Sequence, residues 1–164
     1  MANNTGWAGG RLFSGLGYTA AFNTADLNSL PSGSSVLSSI SEFANTTTPD
    51  QLAKISFKFT IASSTIAAGA SIAFWLANLQ LDGTTLGDGR LTAGTQVAYT
   101  PPWAPVGVFP IQVGSSVTVL EGDVPPFIID PVSFALIVQN NIGFSLAASG
   151  NTCSIMSYNQ ALND

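Results

Sequence analysis

From Leu52 to Ile61 the side chains alternate strictly, with Ala53, Ile55, Phe57, Phe59 and Ile61 falling on one side and Lys54, Ser56, Lys58 and Thr60 on the other. A period of two places successive side chains on opposite faces of an extended chain, so this stretch predicts a strand with one buried and one solvated face. A helix would scatter the same residues around its circumference. Such a strand must lie in a sheet whose apolar face is covered by a second layer.

The stretch Val132 to Tyr158 repeats the pattern. Three apolar runs are separated by Asn140-Asn141-Ile142-Gly143 and Ser149-Gly150-Asn151-Thr152, residue types that accept tight turns and positive φ. Three strands are expected there. The first run is apolar on both faces, as in a central strand. Ser71 to Leu81 predicts another strand, with Ile72, Phe74 and Leu76 on one face and Trp75 and Leu79 on the other. Val36 to Phe43, Val106 to Val113 and Val117 to Glu121 add shorter ones, and Pro110 places its strand at an edge. The chain between Asp82 and Gly94 is turn chemistry almost throughout, and Pro101-Pro102-Trp103-Ala104-Pro105 is stiff and extended. About eight strands, turn signals every ten residues or so and no long helical period predict an all-β antiparallel two-sheet sandwich or jelly roll.

Residues 1–35 read differently from residues 36–164. The first segment is rich in Gly, Asn, Ser and Ala with isolated aromatics, so it is expected to be an extended N-terminal arm ordered by partner contacts, followed by the jelly-roll domain. One short helical turn is expected at Thr24–Leu30, capped by Asn23 or Thr24.

Charge narrows the function. Only 8% of the 164 residues are charged, against roughly 25% in an average soluble domain. A surface so poor in charge is either coated in Ser, Thr, Asn and Gln or buried against other subunits. With a net charge of -5 and four basic residues, Arg11, Lys54, Lys58 and Arg90, the chain lacks the cationic stripe that nucleic acid or anionic lipid requires. Neither partner is expected. Met1 to Phe13 carries no signal-peptide pattern, and Phe59 to Leu81, although apolar and long, reads as strand, turn and strand and not as a membrane span.

Candidate chemistry is sparse. The chain has no histidine, and Cys153, its single cysteine, is expected to be a small core residue. Asp26, Glu42, Asp50, Asp82, Asp88, Glu121, Asp123 and Asp130 are the carboxylates within reach of acid–base work, but most adjoin Gly, Pro or Thr, where such groups cap turns. Asp82, Asp88 and the Glu121/Asp123 pair offer oxygen donors for calcium, yet the loop lacks the ligand spacing of an EF-hand. No catalytic residue, metal or cofactor is predicted. Tyr99 and Trp103, flanking the Pro-Pro loop, are candidate exposed contacts for a sugar or another partner, whereas Trp75 belongs to the core or an interface.

Thr24-Ala25-Asp26-Leu27-Asn28-Ser29-Leu30-Pro31-Ser32-Gly33-Ser34-Ser35, the Phe57/Phe59 strand, Leu81-Asp82-Gly83-Thr84-Thr85 and the closing QNNIGFSLAASGNT follow one another in an order that resembles the small jelly-roll decoration, or cement, proteins of tailed-bacteriophage capsids. These segments touch most of the chain and are strand and turn signatures, not catalytic ones. The resemblance implies a homotrimer on the outer surface of the virion that clamps neighbouring major capsid protein subunits. Trp7, Arg11, Phe13, Tyr18 and Phe22 would then be the capsid contacts of the arm. The alternative is a carbohydrate- or host-receptor-binding module of a tail fibre or spike, working through Tyr99 and Trp103.

Overall fold

A computed structural model describes residues 18–40, 42–46, 49–61, 66, 68–112 and 118–158. Among them nine strands form two antiparallel sheets. β1 (Thr19–Ala20), β9 (Thr152–Tyr158), β3 (Leu52–Thr60) and β7 (Val119–Ile128) lie side by side in that order in one sheet. The other runs β5 (Gln96–Val97), β2 (Ser34–Leu37), β8 (Phe134–Asn141), β4 (Ser71–Asn78) and β6 (Gly107–Pro110). Leaving β5 aside, the first strand pairs with the last and the second with the last but one. That order is a jelly roll, and it keeps most neighbours far apart in sequence.

The alternation of β3 is realised as expected. Ala53, Ile55, Phe57 and Phe59 are buried between the sheets while Lys54, Ser56 and Lys58 face outward. Phe57 is the hub of the inner aromatic cluster, with ring centroids 5.0 Å from Phe59, 5.2 Å from Phe74 and 5.0 Å from Phe109, the last edge-on. β8 is buried along nearly its whole length and sits in the middle of its sheet, where both faces need apolar side chains. Cys153 faces the same core, and burial pushes its thiol pKa up.

Four expectations are corrected. Residues 18–35, expected to belong to an arm ordered by partner contacts, are built into the sandwich itself. β1 extends the sheet edge beside β9, and Ala21, Phe22, Leu27 and Leu30 are buried in the common core. The segment is too poor in apolar residues to fold alone, and the sandwich of its own chain supplies the surface it orders against. Its helix α1 is a single turn, Thr24–Leu27, without a side-chain cap.

The strand expected at Val36–Phe43 is Ser34–Leu37, followed by an isolated bridge from Phe43 to Phe134. Ser39 explains the break: its amide and hydroxyl both donate to the buried Asp26 carboxylate, each at 2.8 Å, which draws the chain out of the ladder. Between β8 and β9 the expected third strand is a loop, held to the end of β3 by the Ile61–Leu146 bridge and by the Ala147 amide, which donates to the Thr60 carbonyl at 2.8 Å.

The fourth correction concerns β7. The strand expected to stop at Glu121 instead pairs with β3 as far as Ile128, running through Pro125 and Pro126. The register slips between Ala53 and Ile55, opposite those prolines, and β7 is an edge strand. A bulge at an edge accommodates residues that have no N–H to give to the ladder.

The two sheets close together where the edge strands β6 and β7 meet. Glycine makes the approach possible: a Cβ on Gly107 would lie 2.2 Å from Val124 Cγ1, and one on Gly122 would lie 2.5 Å from the Phe109 ring. Removing backbone freedom by Gly→Ala is stabilising only where the methyl fits. Gly107→Ala is expected to lower stability by about 1–3 kcal/mol, the usual cost of overpacking, as read from urea unfolding. A stability equal to or above that of the parent would show that the β6–β7 corner is looser than described.

No helix among the described residues is long and apolar enough to cross a membrane, and the apolar stretch from Phe59 to Leu81 contains the end of β3 and all of β4.

Candidate interaction surface

The two sheets present very different outer faces. The connection from Leu79 to Val106 folds back over the outer face of the five-stranded sheet, and its Leu86, Leu91, Val97, Tyr99 and Trp103 pack on Leu37, Ala73, Trp75, Ala77, Ala135 and Ile137. This second apolar layer is why β4 and β8 are greasy on both faces. The outer face of the four-stranded sheet has no such cover among the described residues.

That open face is polar and internally neutralised. Lys58 stands opposite Glu121 in the β3–β7 register, with Nζ 2.7 Å from Oε1, and Lys54 reaches Asp123 at 2.9 Å. The Asp123 bond, and next the Tyr18 hydroxyl, raise the Lys54 pKa; Lys54 and then Ser56 hold Asp123 below the usual carboxylate range. Both pairs are substantially exposed, so each is worth no more than about 1 kcal/mol. Between them runs a shallow groove of about 460 Å³ floored by Ser56, Thr152 and Ser154, with Tyr18 along it.

Of the residues expected to form a capsid-contact arm, Trp7, Arg11 and Phe13 lie outside the described residues. Tyr18 is exposed on the open face, whereas Phe22 is buried in the core and is no surface contact.

Tyr99 and Trp103 are half-buried and committed to the fold, not free as their sequence neighbourhood suggests. Trp103 Nε1 donates to the Leu76 carbonyl at 3.0 Å, and Trp75 Nε1 donates to the Trp103 carbonyl at 3.0 Å. β6 pairs with β4 only as far as Phe74, so Trp103 and the amide of Gly87, which donates to the Asn78 carbonyl at 2.9 Å, close the β4 edge beyond it. Gly87 has φ +62°, and a Cβ there would crowd the Trp103 ring at 3.1 Å. The Tyr99 carbonyl accepts from Ser35 Oγ at 2.6 Å and Gln139 Nε2 at 3.1 Å, and its hydroxyl donates to Asp88.

Burial, reinforced by the Asp88 carboxylate, pushes the Tyr99 phenol up to about 12. Burial of Asp88 acts to raise its pKa, but the Tyr99 hydroxyl and Arg90 outweigh it and the net direction is down. A raised folded-state pKa means that the bond supports the fold below the ordinary tyrosine range and is lost as pH rises through about 12. An ultraviolet phenolate titration is expected to show a tyrosine ionising near pH 12 that disappears in Tyr99→Phe. Ionisation of all tyrosines together near pH 10 would contradict this contact.

Asp82, Asp50 and Asp130 are also engaged within the fold. Asp82 accepts from the Thr84 and Thr85 amides at 2.9 and 2.8 Å and from the Thr85 hydroxyl, which lowers its pKa to about 2. Asp50 accepts from Ser157 Oγ in the interior, and Asp130 accepts from Asn78 Nδ2. No cluster of three or more His, Cys, Asp or Glu side chains suited to a metal occurs among the described residues.

Beside Trp103 lies a cavity of about 270 Å³ whose other walls are Leu76, Asn78, Gln80, Gly87 and Asp88. Asn78 and Gln80 carry no motif, and at the end of a strand they read as turn residues. Only the folding back of the 79–106 connection brings them against the indole.

Fold and surface together define a two-sheet antiparallel β-sandwich with one outer face covered by its own loop and the other open among the described residues. Comparison with protein-family models, curated proteins and solved structures finds no match.

Proposed function

We propose that this chain is a non-enzymatic structural protein of a tailed-bacteriophage virion, seated as a homotrimer on the outer capsid surface, where it clamps neighbouring major capsid subunits. The contrast between the two outer sheet faces carries the reading. A clamp needs a broad, rigid, wettable surface and not a cleft. The open face of the four-stranded sheet is of that kind: β3 is hydrogen-bonded on both sides, and the charges above it are paired across strands. A flat polar face of this sort suits an interface formed after folding, because it remains soluble until its partner arrives.

The jelly-roll strand order and the resemblance of the turn segments to capsid decoration proteins point the same way, although a fold alone does not specify function. Trp7, Arg11 and Phe13 would extend the contact from the edge at Tyr18. Because β1 belongs to the sheet and Phe22 to the core, the arm to be tested is residues 1–17.

Immunogold labelling of the phage that carries this gene, with antibody against the purified protein, is expected to decorate the exterior of the heads. Label confined to tail tips would favour the fibre or spike reading, and unlabelled particles would overturn both. Sedimentation of the purified protein is expected to give a trimer. The variant lacking residues 1–17 is expected to fold normally and bind purified heads more weakly. Equal binding would remove the arm from the proposal.

A further inference from the structure

We propose that the free edge of β7 from Val119 to Asp123 is a docking site for an extended segment of another protein that carries Lys or Arg at alternate positions. Among the described residues β7 is an outermost strand of its sheet and is paired only with β3. The Ile61 amide donates to the Thr118 carbonyl at 2.9 Å, so the hydrogen-bonded pairs that follow in this antiparallel register are Phe59 with Leu120, Phe57 with Gly122 and Ile55 with Val124. The N–H and C=O groups of Val119, Glu121 and Asp123 therefore point away from β3, toward the free edge. An incoming strand extends the ladder there, as in recognition by strand addition. Pro125 and Pro126 have no N–H to offer and end the docking edge on that side.

Charge selects the segment. In a strand added beside β7, the residues hydrogen-bonded to Glu121 and Asp123 place their side chains on the same face as these two carboxylates. The Glu121 and Asp123 side chains stay 59% and 49% exposed although Lys58 and Lys54 reach them from the β3 side. Their other flank lies toward the free edge, where a second pair of cations joins the acidic row without displacing the first. Val119, an exposed apolar residue, takes the remaining position of the edge. Continued in the antiparallel sense of the sheet, the pattern on the incoming strand is basic, any residue, basic, any residue, apolar.

The same features exclude a second copy as the occupant. Antiparallel pairing of two β7 edges centred on Glu121, Gly122 or Asp123 sets carboxylate against carboxylate, which is destabilising. The four basic residues, Arg11, Lys54, Lys58 and Arg90, include no two that are two positions apart, so no segment of this chain carries the pattern. Charges and prolines on an edge keep identical chains from pairing, and here they leave the ladder groups open to a segment of opposite charge. The edge borders the open sheet face, but this inference does not depend on the capsid reading.

The test is an NMR titration of the full chain with the peptide acetyl-Thr-Lys-Thr-Lys-Thr-Val-Thr-amide at low ionic strength. Saturable binding is expected with a Kd of about 0.1–1 mM, weakening as salt is raised. The Val119, Glu121 and Asp123 amides, which exchange readily without the peptide, are expected to gain protection on binding, while those of Leu120 and Gly122 are protected throughout. A peptide with glutamate in place of both lysines, and one N-methylated at both lysine amides, are each expected to bind about tenfold more weakly. The double variant Glu121→Gln, Asp123→Asn, at exposed positions outside the core, is expected to bind the lysine peptide about fivefold more weakly. The proposal is overturned if the lysine peptide does not saturate, if the glutamate or N-methylated peptide binds as well, or if the double variant binds the lysine peptide unchanged.

Discussion

Replacing Phe57 by alanine is expected to lower the free energy of unfolding by about 3–5 kcal/mol, the range for removing a large aromatic from a packed core. Phe57 is 3% exposed and touches the rings of Phe59 and Phe74 from both sheets, as well as Phe109 at the β6–β7 corner. The cavity would open at the seam between the sheets. Collapse around it is limited because β3 is fixed by ladders to β7 and β9. At roughly 2–4 °C per kcal/mol for a chain of this size, the melting temperature should fall by more than the error of any scan. Phe109→Ala, at a partly buried position on an edge strand, should cost less. A loss below about 1 kcal/mol for Phe57→Ala would mean that the aromatic cluster does not join the two sheets.

The second large effect is expected at Asn140. This side chain is fully buried and makes three hydrogen bonds: Nδ2 donates to the Leu30 carbonyl at 2.8 Å and the Phe144 carbonyl at 2.7 Å, and Oδ1 accepts from the Ile142 amide at 3.0 Å. It ties the α1 loop to the β8–β9 loop. Asn140→Leu keeps the volume and removes every partner. Leu30 O retains the Leu146 amide at 3.0 Å, but the buried Ile142 N–H loses its acceptor. One orphaned buried group costs about 1–3 kcal/mol, and loss of the loop-to-loop tie adds to it. Hydrogen exchange should report the change locally, as lost protection of the Ile142 and Leu146 amides. The neighbouring Asn141→Ala removes only a bond to the Gln139 side chain and is expected to stay within about 0.5 kcal/mol of the parent. Equal effects of the two substitutions would contradict this network.

The contrast between Asn140 and Asn141 marks the limit of legibility. Both occur in a run that reads as turn chemistry, and nothing in their neighbours distinguishes a buried tie from a half-exposed one. Asn151 is a second instance: fully buried, it accepts from the Thr60 amide at 2.9 Å and donates to the Ala147 carbonyl at 2.8 Å and Asn28 Oδ1 at 3.2 Å. Asparagine is favoured in turns for its local hydrogen bonding, and the same chemistry serves long-range loop contacts equally well. The cavity beside Trp103 repeats the lesson. Trp103 and Tyr99 are conspicuous in sequence, but Asn78 and Gln80 join the lining only because twenty or so intervening residues turn back across the sheet.

Features that depend on a side chain's own character and its immediate period could be read directly from the chain. The alternation in β3 decides which residues go inward, because one-residue displacement would expose Phe57 and Phe59 and bury Lys54 and Lys58. The doubly apolar β8 demands cover on both sides, and the pairing of β8 between β2 and β4 supplies its place in the middle. Tertiary structure alone decided which strands are neighbours, that β7 passes through two prolines on an edge bulge, and that residues 18–35 complete the core. It also decided that the 79–106 connection covers the outer face of the five-stranded sheet. These features rest on contacts between residues far apart in the chain, whose energy depends on what lies opposite in space and so leaves no local period to read.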